Sequence, residues 1–276
     1  MATITKQKKK KKPTVKKRKN TLVKNLKALP KSKKTAISVC VIFLVIVIVL
    51  VGVAVHNSNR SHNMLSLDKD VAQGIDVSHH NGRIDWKKVS DDADFAIVRV
   101  GYRGYSEGEI NPDTRAKYNL RNAQRAGVPL GVYFYSQAVT PQEAQQEAQY
   151  VLKVIKGYDV SLPVFIDCEF AGGSNGFTGR LYNANLGRED MTDIANAFCA
   201  EIKKAGYTPG VYASTYFYES VFDAKNITHN AVIWVADYNS SITYDGKYDI
   251  WQATDKGKCD GINSKGVDID YWYLKK

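Results

Sequence analysis

The chain has 276 residues and a formal charge of +11 at pH 7, with 44% hydrophobic and 24% charged residues. The excess charge is local: residues 1–35 hold fifteen Lys and Arg and no acid, leaving 24 basic against 28 acidic residues in the remainder. The cations form a separate tail without aromatic residues ahead of a slightly acidic body, so the segment that follows them decides their meaning, and no nucleic acid is expected as a partner.

Ala36 to Val55 follows the tail as twenty residues without a charge. At ~1.5 Å per residue, a helix of that length crosses the ~30 Å hydrocarbon core of a bilayer. It exceeds the ~7–15 residues of a signal-peptide core, and Val55-His56-Asn57-Ser58 is a poor cleavage site. The expectation is one uncleaved transmembrane helix over residues 36–55 in the cell membrane. The positive-inside rule keeps tail 1–35 cytoplasmic, against anionic lipid, and puts everything from residue 56 outside the cell. Residues 56–72 read as a polar stalk, and 73–276 as one domain of about 200 residues.

Strand-like runs rich in Val, Ile, Phe and Tyr occur at Gly74–Ser78, Phe95–Val100, Leu130–Tyr135, Val164–Glu169, Gly210–Ala213, Val232–Ala236, Ile250–Ala253 and Val267–Tyr271. Helical stretches separate several of them. Asp113–Ala126 ends at Gly127 with Pro129 beyond, Thr140–Ile155 opens Thr-Pro-Gln-Glu, and Glu189–Ala205 ends at Gly206. Asp91, Asp92 and Asp94 read as a solvated loop. Alternating strands and helices imply a largely parallel α/β sheet. Eight strands in so short a domain imply an irregular, shortened, TIM-like β/α barrel with fewer helices than usual.

Four acids stand at strand ends: Asp76, Asp167, Glu169 and Asp268. A buried carboxylate without a partner is costly, so four in such places point to a shared acidic cleft. Residues two apart on a strand share a face with Cα atoms ~6.6 Å apart, so Asp167 and Glu169 enter one cleft. Adjacent like charges raise the pKa of one member, which keeps a carboxylic acid protonated for donation to a leaving oxygen. Paired carboxylates used in this way cleave glycosidic bonds. Cys168 between them should face away and pack in the core.

Tyr133, Tyr135, Tyr212, Trp234, Tyr238 and Trp251 sit where rings can stack on sugars, although core packing is the commoner fate of such residues. Asp237 reads as a sugar contact or a structural cap, and His79 as a hydrogen-bond partner of a cleft carboxylate. Cys168, Cys199 and Cys259 are widely spaced, odd in number and without a Cys-x-x-Cys, so no metal site, disulfide framework or cofactor is expected.

The segments Gly-Ile-Asp-Val-Ser-His-His-Asn-Gly-Arg-Ile-Asp-Trp, Pro-Val-Phe-Ile-Asp-Cys-Glu, Gly-Val-Tyr-Ala-Ser, Ile-Trp-Gln-Ala and Gly-Val-Asp-Ile-Asp resemble the family 25 glycoside hydrolases, in order from about Gln73 to Leu274. The resemblance implies a lysozyme-type muramidase cutting the β-1,4 bond between N-acetylmuramic acid and N-acetylglucosamine of peptidoglycan. It implies Glu169 as proton donor and Asp167 as the acid that orients the substrate's 2-acetamido group for attack on the anomeric carbon. It further implies Asp76 and Asp268 as the remaining catalytic cleft carboxylates. Three positions depart from the family pattern: Cys168 stands where an aliphatic residue is common, Asp270 where Asn is common, and Arg99 lies in a segment that often carries an acid. The rival reading, a peptidoglycan-binding module of an envelope-spanning machine with weak catalysis, predicts a missing acid, and none of the four is missing.

Overall fold

The structure, a computed structural model, describes residues 42–48, 69–173 and 176–275. Contacts divide the chain into two units, Met1–His56 and Asn57–Lys276. Of the first unit, residues 42–48 are described and form a helix with exposed apolar side chains. Among the described residues no helix is long and apolar enough to cross a membrane. The remainder of the expected span, the basic tail and most of the stalk lie outside the described residues.

The second unit contains β1 (Val71–Val77), β2 (Phe95–Arg103), β3 (Ile110–Pro112), β4 (Leu130–Ser136), β5 (Val164–Cys168), β6 (Ala171–Gly173), β7 (Gly176–Thr178), β8 (Pro209–Ser214), β9 (Val232–Ala236), β10 (Ile250–Gly257) and β11 (Val267–Tyr273). Its helices are α1 (Trp86–Asp92), α2 (Ala116–Ala126), α3 (Pro141–Ile155), α4 (Gly179–Asn183) and α5 (Arg188–Lys204). Eight strands close a ring in the order β1-β2-β4-β5-β8-β9-β10-β11, and β11 returns to β1. Closure leaves no ring strand with an unpaired edge. All eight strand runs read from the sequence are ring members; β3 and the β6–β7 hairpin, too short for a periodic signal, are additions.

One strand departs from the parallel expectation. β11 is antiparallel to both β1 and β10, while the other ring pairings are parallel. Residues at the start of β11 therefore share a mouth with residues at the ends of β1 and β5.

Alternation along the strands builds two cores. Inside the ring pack Phe95, Ile97, Phe165, Trp234, Ile250 and Trp272, all buried. Outside it, Val98, Val132, Ile166, Cys168 and Val211 pack against helix residues such as Leu120, Val151 and Phe198. The interior is crowded where aromatic rings lie over glycine. A Cβ on Gly210 would lie 2.2 Å from the Phe165 ring, and one on Gly74 would lie 2.5 Å from the Phe95 ring.

The helices start and stop where the chain chemistry directs. Thr140 Oγ1 accepts the N–H of Glu143 at 3.2 Å, with Pro141 in the first turn of α3. Gly127 ends α2 in the left-handed region at φ 77°, where its N–H reaches the last carbonyls. Between β8 and β10 no α-helix intervenes; short π- and 3-10 turns at Phe217–Val221 and Ala224–Asn226 replace it. Several boundaries differ from expectation: α2 starts at Ala116 rather than Asp113, β2 runs on to Arg103 and β10 to Gly257. β1 begins at Val71, inside the expected stalk, and Asp91 and Asp92 end α1 rather than lying in a loop. Asp94 is held by Lys69 Nζ at 2.6 Å and the Gln73 N–H at 3.0 Å.

The fold makes a direct forecast. Gly210→Ala forces a methyl against the Phe165 ring within a closed interior, an overpacking that costs about 1–3 kcal/mol. The midpoint of thermal or urea unfolding of the variant should fall accordingly, and an unchanged midpoint would contradict this packing.

Candidate active site

Three strands carry the acids to one mouth. On β5 the inward positions are Phe165 and Asp167, and the next is Glu169; Cys168 faces the outer core and is 1% exposed. On β1 the inward position is Asp76. On β11, run in reverse, it is Asp268, which pairs directly with Asp76 across the strand register. All four carboxylates line one cleft of about 650 Å³, together with Tyr133, Tyr212, Trp234, Tyr238 and Gln252. A second hollow of about 720 Å³ shares Arg99, Tyr133, Asp167 and Glu169 with the first and runs past Tyr135 toward Gly172 and Thr178. Asp167 and Glu169 thus stand at the waist of a continuous groove.

Burial and mutual repulsion keep protons on these acids. Glu169 is pushed up to about 7 by burial and by Asp268, with Arg99 pulling the other way. Asp268 rises to about 6 through burial and Asp255. Asp167 is raised well above the carboxylate range by burial and then by Glu169, with Arg99 opposing. Asp76 rises through burial, Asp268 and Asp270, against the hydrogen bond it accepts from Gln252 Nε2 at 2.6 Å. Gln252 Oε1 in turn accepts the hydroxyls of Tyr212 at 2.8 Å and Tyr238 at 2.7 Å, which fixes its amide orientation. Asp167 Oδ1 is buried and has no hydrogen-bond partner.

Beneath the cleft lies Asp270, fully buried and raised by burial and by Asp268. Trp234 Nε1 donates to its Oδ1 at 2.9 Å. This bond holds the Trp234 ring edge-on to Phe165, Tyr212 and Tyr133.

A cation stands across from the acid pair. Arg99 Nε donates to Asp113 Oδ2 at 2.9 Å, and its Nη2 lies 2.6 Å from His79 Nδ1. Burial pushes Asp113 up, but the N–H groups of His79 and Arg115, with Arg99, outweigh it and hold Asp113 below the usual range.

The aromatic expectations divide. Tyr133, Tyr212 and Trp234 line the acid cleft and Tyr135 the second hollow. Trp251 does not line it: Ile250 and Gln252 take the inward positions of β10, so Trp251 faces out, donates to Asp237 O at 2.7 Å and packs on Tyr271. Asp237 is also outside the cleft. Its carboxylate is occupied by Asn239, by Thr215 and by both the N–H and hydroxyl of Thr243, so it organises the loop after β9 as a structural cap. His79 borders the second hollow, but its partners are Asp113 and Arg99 rather than a cleft acid. Gln252 and Asp113 are site residues that periodicity did not single out. Gln252 shows in the sequence as a polar residue at an inward position of an apolar strand, the same signal that marks Asp76.

Residues 75–262 match the profile of the glycosyl hydrolases family 25, more than half of the chain. The chain belongs to family 25. Among curated relatives, the autolytic lysozyme of Clostridium acetobutylicum is 25% identical over 199 residues, 72% of this chain and 55% of that protein. The modular autolysin LytC of Streptococcus pneumoniae is 30% identical with a TM-score of 0.63, over 74% of this chain and 47% of that one. A family 25 glycosyl hydrolase of Bacillus anthracis shares the fold at 22% identity and a TM-score of 0.59, over 75% of this chain and 91% of that one. The chain spans about half the length of the first two relatives.

The elevated acids of this family 25 site set a stability profile. Glu169, raised to about 7, and Asp268, raised to about 6, bind more protons folded than unfolded between about pH 4.5 and 7, as does Glu147, raised to about 7 outside the cleft where Arg103 and Ser136 hold it. Stability is therefore greatest below that window and falls as pH rises through it. The lowered acids Asp113 and Glu143 act only below it, and largely exposed His80, pushed down, opposes the trend weakly. Calorimetry should give a melting temperature several degrees lower at pH 8 than at pH 5, at roughly 2–4 °C per kcal/mol. A rise with pH would contradict the burial of these acids.

Proposed function

We propose that the protein is a muramidase that cleaves the β-1,4 bond between N-acetylmuramic acid and N-acetylglucosamine in peptidoglycan. The observation that carries this reading is Glu169 at the waist of the groove with its pKa raised to about 7, so that a proton is present at neutral pH. Glu169 donates that proton to the glycosidic oxygen as the bond to the leaving sugar breaks. The 2-acetamido oxygen of the sugar bearing the cleaved bond attacks its anomeric carbon, forming a cyclic oxazolinium. Asp167 accepts the amide N–H at its partnerless buried Oδ1, which orients the acetamido oxygen for attack. Glu169, now a carboxylate, takes a proton from the water that opens the ring. Asp76, held by Gln252, and Asp268 bind the sugar, and Asp268 together with burial retains the Glu169 proton.

We further infer that residues 36–55 anchor the enzyme in the cell membrane, with tail 1–35 cytoplasmic and the barrel outside. Twenty uncharged residues behind fifteen cations support that topology. The reading fails if the intact chain leaves washed membranes in high salt without detergent.

Glu169→Gln should lower clearing of a peptidoglycan suspension by at least ~10²-fold while leaving the melting curve in place. Wild-type activity should decline as pH rises through about 7, when the donor loses its proton. Mass spectrometry should find muramic acid at the new reducing ends, with retained configuration in the first product. Near-normal turnover by the variant would overturn the donor assignment, and an inverted product would overturn acetamido assistance.

A further inference from the structure

A hollow of about 960 Å³ lies on the barrel flank between α1 and α2, closed at one end by the β10–β11 connection. Its charged lining is Arg83, Lys87, Lys88 and Arg125, against the single acid Asp85. All four cations are exposed, and none is within ion-pairing distance of a carboxylate among the described residues. Clustered, unpaired cations repel one another, and the chain beyond residue 35 has more acids than bases.

The walls of this hollow are built. Trp86 Nε1 on α1 donates to Asn119 Oδ1 on α2 at 3.3 Å, and Tyr118 OH donates to Ile84 O at 2.9 Å. Arg83 lies over the Tyr118 ring at 5.7 Å. The β10–β11 connection is pinned to α1: Asp85 N–H donates to Gly261 O at 2.9 Å, and Asp260 N–H donates to Asp92 Oδ2 at 2.9 Å.

The hollow also meets the catalytic groove. Asn263 lines both it and the acid cleft. The cleft itself is lined by five acids against Arg99 and Lys265, so an anionic substituent on a bound glycan finds its counter-charge more readily in the basic hollow. In peptidoglycan the lactyl group of muramic acid carries such a substituent, a short peptide bearing free carboxylates.

We propose that the basic hollow receives the acidic peptide of the peptidoglycan strand whose sugars occupy the acid cleft, and that it gives the enzyme a preference for peptide-bearing glycan. This rests on the muramidase reading above. The peptide leaves the cleft past Asn263 and lies along α1, where Lys87, Lys88, Arg83 and Arg125 meet its carboxylates. The contacts are solvent-exposed, so the preference weakens as salt rises.

The test uses the full-length chain in detergent and two substrates: peptide-bearing glycan, and the same glycan stripped of peptide by an amidase. At low salt kcat/KM should be about tenfold higher on the peptide-bearing strand. Lys87→Glu with Lys88→Glu, both on the exposed face of α1, should abolish that preference and leave turnover of stripped glycan unchanged. Equal rates of wild type on the two substrates, or equal slowing of the variant on both, would overturn the proposal while the muramidase reading stands. Failure of wild type to cut either substrate would overturn both. If poly(glycerol phosphate) binds wild type and not the charge-reversed variant while the peptide preference is absent, the hollow serves a phosphate polymer and the peptide assignment is wrong.

Discussion

Two carboxylates face each other across one strand pair at the mouth of the barrel, Asp76 on β1 and Asp268 on β11. Most of the site follows from the reversal of β11 that makes this pairing possible. Were β11 parallel to its neighbours, Asp268 near its start would lie at the opposite end of the ring from Asp167 and Glu169. Reversal brings four acids within one cleft, and burial then forces them to share protons instead of each carrying a charge. The raised pKa of Glu169 is thus a property of the ring topology as much as of the residue itself.

So concentrated an arrangement opposes folding, and the surroundings offset only part of the cost. Gln252 satisfies Asp76 and is itself oriented by two tyrosine hydroxyls; Trp234 satisfies one oxygen of Asp270. Asp167 Oδ1 and Asp270 Oδ2 are left without partners. Unsatisfied buried atoms are uncommon in folded proteins, and their occurrence here beside the acid pair fits a site organised for a substrate rather than for stability. The closed ring and its crowded interior of Phe95, Phe165, Trp234 and Trp272 supply the rigidity that holds the acids despite that cost.

Period-two alternation made much of this readable from sequence. It found all eight ring strands, paired Asp167 with Glu169, and turned Cys168 toward the outer core. The direction of β11 was not readable, because alternation is the same whichever way a strand runs. The partners of Asp237, Trp251 and His79 were hidden for a related reason. Each has a residue type that suits sugar or carboxylate contact, but the partners that occupy it, such as Thr243 and Asp113, are fixed by loops without periodicity. Trp251 was decidable in principle, since Gln252 at the inward position forces its neighbour outward.

The second strand shows how one extra residue reassigns chemistry. Between Arg99 and Gly101 the β2–β4 register shifts, leaving Val100 unpaired. Without this bulge Arg99 and Arg103 would face the same side. With it Arg99 and Tyr102 turn to the groove, and Arg103 turns outward to Glu147 at 2.6 Å and to Gly108 O at 2.7 Å. One arginine braces the wall and the other serves the site. Arg99, pinned by Asp113, opposes proton retention at both Asp167 and Glu169. Burial and Asp268 raise Glu169. The fixed cation works against that rise, and Glu169 stands at about 7, within reach of both protonation states near neutral pH.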